Sequence, residues 1–198
     1  HNYSKKSKVL FSGGYDGVLR AWDPIHLTLI KSLFFHQSCI LCLDVDSNSK
    51  LLLSCSHDTL VCLWDINKLR YTATYGGHKS SVTCVKFVNN RSSFISLSND
   101  QTMRIWDLLT GNLISIFNAN FELKNIFLIR KPEVLLIGQI RFQNLFDKKD
   151  FYKTTQLNED IYSCDIIKDS SKIVLGNSNG FIHLFDLQNF KIVLTTKA

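Results

Sequence analysis

Short segments in which apolar and polar residues alternate recur along this chain, and polar turns separate them. Residues 82–88 alternate in this way and are rich in β-branched side chains, which is typical of a strand with one buried face. Three further strand-like segments follow at 93–97, 102–106 and 113–117. Together they predict a small sheet of four antiparallel strands, and the pattern predicts no helix of useful length.

The four-strand pattern is repeated along the chain. A Trp-Asp pair ends the third strand at Trp22, Trp64 and Trp106, so the two steps between the tryptophans are equal. Two further steps, only slightly shorter, end at Phe146 and Phe185, each followed by Asp. Four-stranded sheets repeated at about 40 residues predict the blades of a β-propeller. We place the repeats approximately at 8–33, 36–75, 78–117, 121–155 and 158–197, within a single domain over residues 1–198.

Polar residues keep fixed positions in the better copies. An Asp lies six residues before the Trp in the first three copies, and a His precedes the Trp at one constant distance in the second and third. With a Ser between them, these are the residue types of a hydrolytic triad. An enzyme needs one nucleophile on an exposed sharp turn, whereas this set occurs twice at the period of the repeat and includes a Trp each time. We therefore interpret the set as structural and predict no catalytic residue.

The Trp-Asp pairs at constant spacing, with Asp and His in register and Gly77 before His78, resemble the WD40 repeat family. The resemblance extends over essentially the whole chain and is strongest over residues 13–107. It implies an all-β fold, a WD40 β-propeller with about five blades present. It also implies hydrogen-bonded structural tetrads inside the blades, formed from Asp16, Trp22, His36, Ser54, Asp58, Trp64, His78, Ser96, Asp100 and Trp106. Ser98 is an alternative to Ser96, because alternation alone does not decide which serine points inward.

The first and the last two copies depart from this pattern. The first copy begins near Lys8 with a segment typical of a second strand, so no first strand is predicted for it. Since a WD40 ring commonly has seven blades, the resemblance implies that the ring is incomplete or open. Ile140 stands at the Asp position of the fourth copy, while Asn179 and Leu157 stand at the Asp and His positions of the fifth. These two copies are predicted to be degenerate blades.

Residues 78–84 and 98–108 also resemble, more narrowly, the first propeller of the transducin-β-like WD40 subunits of the U3 small-subunit processome. The Phe185-Asp186 ending fits the same family, although its second propeller and C-terminal helical region are not in this sequence. The resemblance implies a non-catalytic scaffold in the nucleus and nucleolus that holds other protein subunits during ribosome biogenesis and rRNA processing. The alternative is a WD40 adaptor of another class, such as a ubiquitin-ligase substrate receptor or a chromatin or signalling scaffold, in the nucleus or the cytoplasm.

Composition adds few constraints. The formal net charge of +6 is a mild basic bias, compatible with an RNA-rich setting. No apolar run reaches the ~18–20 residues of a membrane helix, and no glycine-rich phosphate loop is present, so neither a membrane, a small-molecule substrate nor a cofactor is predicted. Cys39 and Cys42 form a lone C-x-x-C without a second pair at zinc spacing, so no metal is predicted. The six cysteines are interpreted as small buried hydrophobes in a reducing compartment.

Predicted contact positions for a protein partner lie in the loops before the first strands and just after those strands begin. They are Gln37, Leu41, Lys79, Thr83 and Tyr162. Six lysines could also meet RNA phosphate, although a solvated rim is the plainer interpretation of each: Lys5, Lys6, Lys8, Lys148, Lys149 and Lys153.

Overall fold

The computed structural model describes residues 2–4, 9–48, 50–88, 92–118, 125–130, 133–137, 141–144, 161–167, 172–186 and 191–197. Every regular element in these ranges is a β-strand, so the prediction of an all-β protein is confirmed there. The chain divides into two compact units, His1–Ala119 and Asn120–Ala198. The first unit contains three antiparallel sheets and the second contains two. The single domain over residues 1–198 stays a prediction.

The three sheets of the first unit each have four strands that follow one another in chain order. Sheet 1 consists of β1 (Asn2–Ser4), β2 (Val9–Gly13), β3 (Val18–Asp23) and β4 (Thr28–Phe34). Sheet 2 consists of β5 (Ile40–Val45), β6 (Leu51–Ser56), β7 (Val61–Asp65) and β8 (Arg70–Tyr75). Sheet 3 consists of β9 (Val82–Val88), β10 (Ser93–Ser98), β11 (Thr102–Asp107) and β12 (Leu113–Asn118).

The second unit contains sheet 4 and sheet 5, whose strands also follow one another in chain order. Sheet 4 consists of β13 (Asn125–Arg130), β14 (Glu133–Ile137) and β15 (Arg141–Asn144). Sheet 5 consists of β16 (Ile161–Ile166), β17 (Lys172–Asn177), β18 (Phe181–Asp186) and β19 (Lys191–Lys197). Ile140, Phe146 and Leu157, on which the fourth and fifth repeats were placed, lie outside the described residues.

The first repeat differs from its prediction, because sheet 1 does contain a first strand. The backbone of Asn2–Ser4 pairs antiparallel with β2, with Tyr3 opposite Leu10. Three residues are too few to show an alternating pattern, and the basic run after them resembles a solvated tail. The strand is held by backbone pairing, which does not depend on side-chain type. Sheet 1 therefore begins at residue 2 and not at residue 8.

Sheets 1, 2, 3 and 5, which each have four strands, share a register shift at the same position. The pairing of the third strand with the fourth shifts immediately before Trp22, Trp64 and Trp106, and again before Phe185. Such bulges bend a strand and increase its twist. Because the shift at Phe185 matches the other three, sheet 5 has the same construction although it lacks the Trp.

The core of the first unit lies between neighbouring sheets. One apolar cluster joins sheets 1 and 2 and includes Phe11, Leu52 and Trp64. A second joins sheets 2 and 3 and includes Tyr75, Phe94 and Trp106, with the rings of Phe94 and Trp106 stacked at 6.2 Å. The middle strands are therefore the most buried, and every residue of β10 is buried, whereas β12 is largely exposed.

Candidate functional site

Sheet 3 contains a chain of hydrogen bonds that runs from its third strand to the loop before its first strand. The indole Nε1 of Trp106 donates to Ser96 Oγ at 2.8 Å. Ser96 Oγ lies 2.7 Å from His78 Nε2, and His78 Nδ1 lies 3.0 Å from a carboxylate oxygen of Asp100. Because a carboxylate only accepts, Nδ1 donates to Asp100, Nε2 accepts from Ser96, and Ser96 accepts from Trp106. Every polar atom of this buried chain is used.

Sheet 2 repeats the same arrangement. Trp64 Nε1 donates to Ser54 Oγ at 2.8 Å, Ser54 Oγ lies 2.8 Å from His36 Nε2, and His36 Nδ1 lies 2.8 Å from Asp58 Oδ2. The serine and histidine side chains are again buried. The structure thus brings together eight of the ten side chains named for the tetrads, four in each of two sheets.

The aspartate of each network also fixes the backbone around it. One oxygen of Asp100 accepts from the amide and hydroxyl of Thr102, and the other accepts from the amide of Lys79 at 2.9 Å. Asp58 accepts in the same way from the amides of Leu60 and Gln37. A single carboxylate therefore holds both its own turn and the loop that precedes the first strand of the sheet.

The two candidate serines of sheet 3 have different partners. Ser96 joins Trp106 to His78, as described above. Ser98 Oγ instead donates to the carbonyl of Ser80 at 3.0 Å and accepts from the amide of Asp100 at 3.1 Å. Ser98 thus ties the turn to the neighbouring loop and takes no part in the chain of side chains.

Electrostatics keep the sheet 3 network in one protonation state at neutral pH. Burial opposes ionisation of Asp100, but hydrogen bonds from Thr102, the Lys79 amide and His78 together hold its pKa well below the usual range. Burial lowers the pKa of His78, against the attraction of Asp100. The network therefore contains a neutral imidazole that donates to a carboxylate anion.

Arg104 is part of this neighbourhood, and the sequence interpretation missed it. Its guanidinium lies 3.9 Å from Asp100 and 5.9 Å from the ring centroid of Trp106, and its Nε donates to Thr102 Oγ1. A cation over an aromatic face is attracted by the ring quadrupole. The sequence did contain a signal for Arg104. It lies two residues before Trp106, as Arg20 lies two residues before Trp22.

Sheet 1 has a different arrangement. Trp22 Nε1 still donates to a serine, Ser12 Oγ, at 2.8 Å. Asp16, however, forms a two-pronged ion pair with Arg20, at 2.6 and 3.2 Å, and accepts from the amide of Val18. Asp16 and Trp22, which the sequence placed in one tetrad, thus belong to two separate contacts in sheet 1.

Sheet 5 has a polar contact that no sequence pattern indicated. His183 on β18 is buried, with Nδ1 at 2.9 Å from Thr195 Oγ1 and Nε2 at 3.3 Å from Asn177 Nδ2. Asn177 also accepts from the amide of Phe181, while Asn179, at the predicted Asp position, only donates its amide to Asn177. The turn in sheet 5 is therefore held by an amide side chain instead of a carboxylate.

The predicted contact positions share a backbone feature. The pairing of the first and second strands shifts between Ile40 and Cys42, between Val82 and Cys84, and between Ile161 and Ser163, so Leu41, Thr83 and Tyr162 are each the extra residue of a β-bulge. Bulges re-aim side chains and are over-represented near functional sites. Leu41 is 45% exposed. Thr83 is half-buried, and its Oγ1 has no hydrogen-bond partner among the described residues. The side chain of Tyr162 is not among those described.

The other two contact positions, Gln37 and Lys79, are exposed and follow the network histidines. Their amides are bound by Asp58 and Asp100, so the backbone at these positions is fixed. The six lysines suggested for RNA lie outside the described residues. In the part of the chain that the structure describes, no group of three or more His, Cys, Asp or Glu side chains has the geometry to hold a metal ion. No helix in that part could span a membrane.

The repeats match a known family. Residues 27–65 and 69–107 match the WD domain, G-beta repeat. Two WD40 repeats thus lie at residues 27–65 and 69–107, and the four-stranded antiparallel sheets with the recurring shift before the tryptophan have the WD40 propeller architecture.

Two of the similar known proteins have U3 in their names, and the third is named for its WD40 repeats. A segment of 35 residues is 54% identical to the U3 snoRNP-associated protein-like EMB2271 of Arabidopsis thaliana, and spans 18% of this chain and 7% of that protein. The solved structures of U3-55K and of the RRP9 WD40 repeats match 99% of this chain with TM-scores of 0.86 and 0.88 at 15% identity. At that identity the likeness shows the fold alone.

This chain spans 63% and 62% of those two solved chains. The prediction of WD40 repeats is confirmed for residues 27–65 and 69–107. The narrower assignment to the transducin-β-like subunits stays a prediction.

Proposed function

We propose that this chain is a non-catalytic WD40 interaction scaffold of a U3 ribonucleoprotein complex that acts in ribosome biogenesis. The observation that carries the proposal is the segment 54% identical to a protein named as U3 snoRNP-associated. The WD40 propeller fold supports a scaffold role, because propellers present several loop edges to partners. On this proposal the protein works in the nucleolus, beside other protein subunits and pre-ribosomal RNA.

The chemistry of the networks supports a role without catalysis. A nucleophilic serine needs a base that is able to take its proton and an exposed position. Ser96 is buried, and its oxygen already meets both Trp106 and His78. Asp100, His78 and Ser96 have the hydrogen bonds of a catalytic triad, but Ser96 is fully buried and its Oγ also accepts from the Trp106 indole. A substrate therefore has no access to the hydroxyl, and these groups stabilise their sheets.

The proposed contact surface in the first unit consists of Gln37, Leu41, Lys79 and Thr83, and we call it the loop edge. Leu41 supplies exposed apolar area, which favours association when a partner covers it. Thr83 is half-buried and its hydroxyl oxygen is inaccessible, so Thr83 adds only the exposed part of its side chain to the loop edge. Lys79 adds positive charge beside them. The loop edge thus fits a protein surface with an apolar centre and an acidic rim.

The opposite edge of each sheet offers a matched control. Successive strands run in opposite directions, so the turn between the third and fourth strands lies at the other end of the sheet from the loop edge. Leu109 in that turn of sheet 3 is 83% exposed. Leu109→Glu therefore makes the same replacement of an exposed leucine as Leu41→Glu, but it lies away from the proposed contact.

The test is purification of the tagged full-length protein from its own cells, followed by detection of U3 RNA and co-purifying proteins. We expect U3 RNA and processome subunits with the unchanged protein and with Leu109→Glu, and a clear loss with Leu41→Glu and Lys79→Glu. Recovery of a ubiquitin-ligase or chromatin complex without U3 RNA would instead support the alternative WD40 adaptor and would overturn the U3 proposal. Equal losses of U3 RNA with Leu41→Glu and Leu109→Glu would show that the loop edge is not the contact surface.

A further inference from the structure

Three cysteine thiols lie together between sheets 2 and 3, outside the networks described above. They belong to Cys42 on β5, Cys55 on β6 and Cys84 on β9, and the Cys42 thiol interacts with the other two. None of the three is in a disulfide. Cys55 and Cys84 are buried, whereas Cys42 is partly exposed. The three do not form a metal site, so the chemistry open to them is that of the thiols themselves.

Cys42 and Cys55 have the geometry of a cross-strand pair. They are directly opposite each other in the antiparallel pairing of β5 with β6. Opposed residues of antiparallel strands have Cα atoms about 4.5 or 5.5 Å apart, and a disulfide requires about 4.4–6.8 Å. Both side chains pack on the same apolar cluster, so they point to the same face of sheet 2.

The C-x-x-C pair that the sequence displays is not the close pair. Cys39 comes directly before β5, and the bulge at Leu41 lies between it and Cys42. The side chains that act on the Cys42 thiol are those of Cys55, Cys84 and Lys86. The cross-strand residue Cys55 is therefore the partner of Cys42, although it is farther away along the chain.

Neighbouring groups favour the reactive form of Cys42. Hydrogen bonds from the Cys55 and Cys84 thiols lower the pKa of Cys42, and the Lys86 ammonium contributes in the same direction. Lys86 is itself held in place by Asp44, whose carboxylate lies 2.9 Å from its Nζ. Burial raises the pKa of Cys55. The thiolate is the nucleophilic form, so Cys42 attacks first and Cys55 follows.

We propose that Cys42 and Cys55 form an intramolecular disulfide when the protein meets a peroxide. The Cys42 thiolate attacks one peroxide oxygen, the O–O bond breaks, and Cys42 becomes a sulfenic acid while hydroxide leaves and takes up the proton that the Cys42 thiol gave up, forming one water. The sulfur of Cys55 then attacks the Cys42 sulfur, the S–O bond breaks, and the leaving hydroxide takes the proton of the Cys55 thiol, forming a second water. Two thiols and one hydrogen peroxide thus give one disulfide and two waters, and the two sulfurs supply both electrons.

Trypsin digestion makes the test specific. Cys39 and Cys42 share the tryptic peptide 32–50, and Cys55 and Cys62 share the peptide 51–68. In a chain with Cys39→Ser and Cys62→Ser, Cys42 and Cys55 are therefore the sole thiols of their peptides. The folded protein is treated with hydrogen peroxide, blocked with iodoacetamide and digested, and its peptides are analysed by mass spectrometry.

We expect a disulfide-linked pair of peptides 32–50 and 51–68 that dithiothreitol separates. The link should persist in Cys84→Ser and disappear in Cys55→Ser, with folding checked by tryptophan fluorescence. A link between peptide 32–50 and the Cys84 peptide 80–86 would overturn the proposal. A link that forms only after tryptophan fluorescence reports unfolding would also overturn it. So would oxidation of Cys42 to a sulfinic acid without any disulfide.

Discussion

Sheets 2 and 3 differ from sheets 1 and 5 in how they hold their turns. In sheets 2 and 3, a carboxylate in the turn meets a histidine from the preceding loop, and the histidine connects through a serine to a tryptophan. In sheet 1 the carboxylate of Asp16 meets Arg20 at the surface. In sheet 5 the buried His183 lies on the third strand and meets Thr195. Nevertheless all four sheets keep the same strand order and the same register shift.

The comparison teaches that the tetrad is one way of stabilising a blade and is not needed to form one. The strand order follows from alternation and short turns, which all four sheets possess. The tetrad adds a buried polar connection between the loop, the turn and the middle strands. Such a network is stabilising only while every member is paired. Sheets 2 and 3 should therefore be more sensitive to single polar substitutions than sheets 1 and 5.

The largest effect is expected from Asp100→Ala. The substitution leaves the His78 ring, the amides of Lys79 and Thr102 and the Thr102 hydroxyl without their acceptor. We expect the free energy of unfolding to fall by about 3 kcal/mol. Asp16→Ala is the matched control in sheet 1, and it should cost much less because Asp16 is exposed. Urea denaturation followed by tryptophan fluorescence measures both, and equal losses would contradict the difference between the sheets.

A smaller effect is expected from exchanging two residues that share a backbone conformation. Leu27 and Gly111 occupy the same place in the outer turns of sheets 1 and 3, and both have positive φ, 56° and 74°. Only glycine adopts this conformation without steric cost, and a Cβ on Gly111 would meet no atom within 4 Å. We therefore expect Gly111→Leu to lower, and Leu27→Gly to raise, the free energy of unfolding by roughly 1 kcal/mol each. Changes of the same sign in both variants would show that packing, and not strain, decides these turns.

The smallest effect is a dependence on pH that comes from the sheet 3 network. Because burial lowers the pKa of His78, the unfolded chain binds a proton more readily than the folded one as the pH falls below about 6.5. Stability is therefore full above that pH and is lost as the pH falls. His78→Gln should be less stable at pH 7 but should lose less on going to pH 5. Urea midpoints at the two pH values test this, and parallel losses in variant and unchanged protein would refute it.

The sequence predicted the sheets well because their determinants are local. Alternation and the constant period of the repeats located the strands of sheets 2 and 3, and the period alone located Phe185 on β18. The three-residue strand β1 could not be recognised, because backbone pairing leaves no side-chain pattern in so short a segment. The pair of Cys42 and Cys55 could not be predicted either, because the strand pairing that places them opposite each other leaves no pattern in the sequence.

The site was predictable as a set of residue types and less so as a set of contacts. Ser96 and Ser98 are two residues apart on one strand and are both fully buried, so alternation could not separate them. Their roles differ because the pairing with β9 shifts at Ser98. His183 was missed because only the pairing of β18 with β19 brings it to Thr195. Arg104 was overlooked although it has the same position before the Trp as Arg20.

The bonds from Asp58 and Asp100 to the amides of Gln37 and Lys79 have a consequence for how this surface can evolve. Every residue except proline has a backbone amide, so the course of the loop does not depend on which side chain stands at position 37 or 79. Mutation can therefore replace the exposed group there with an acid, a base or an aromatic ring while the loop keeps its path. Sheets 2 and 3 can therefore each acquire a new specificity without being rebuilt.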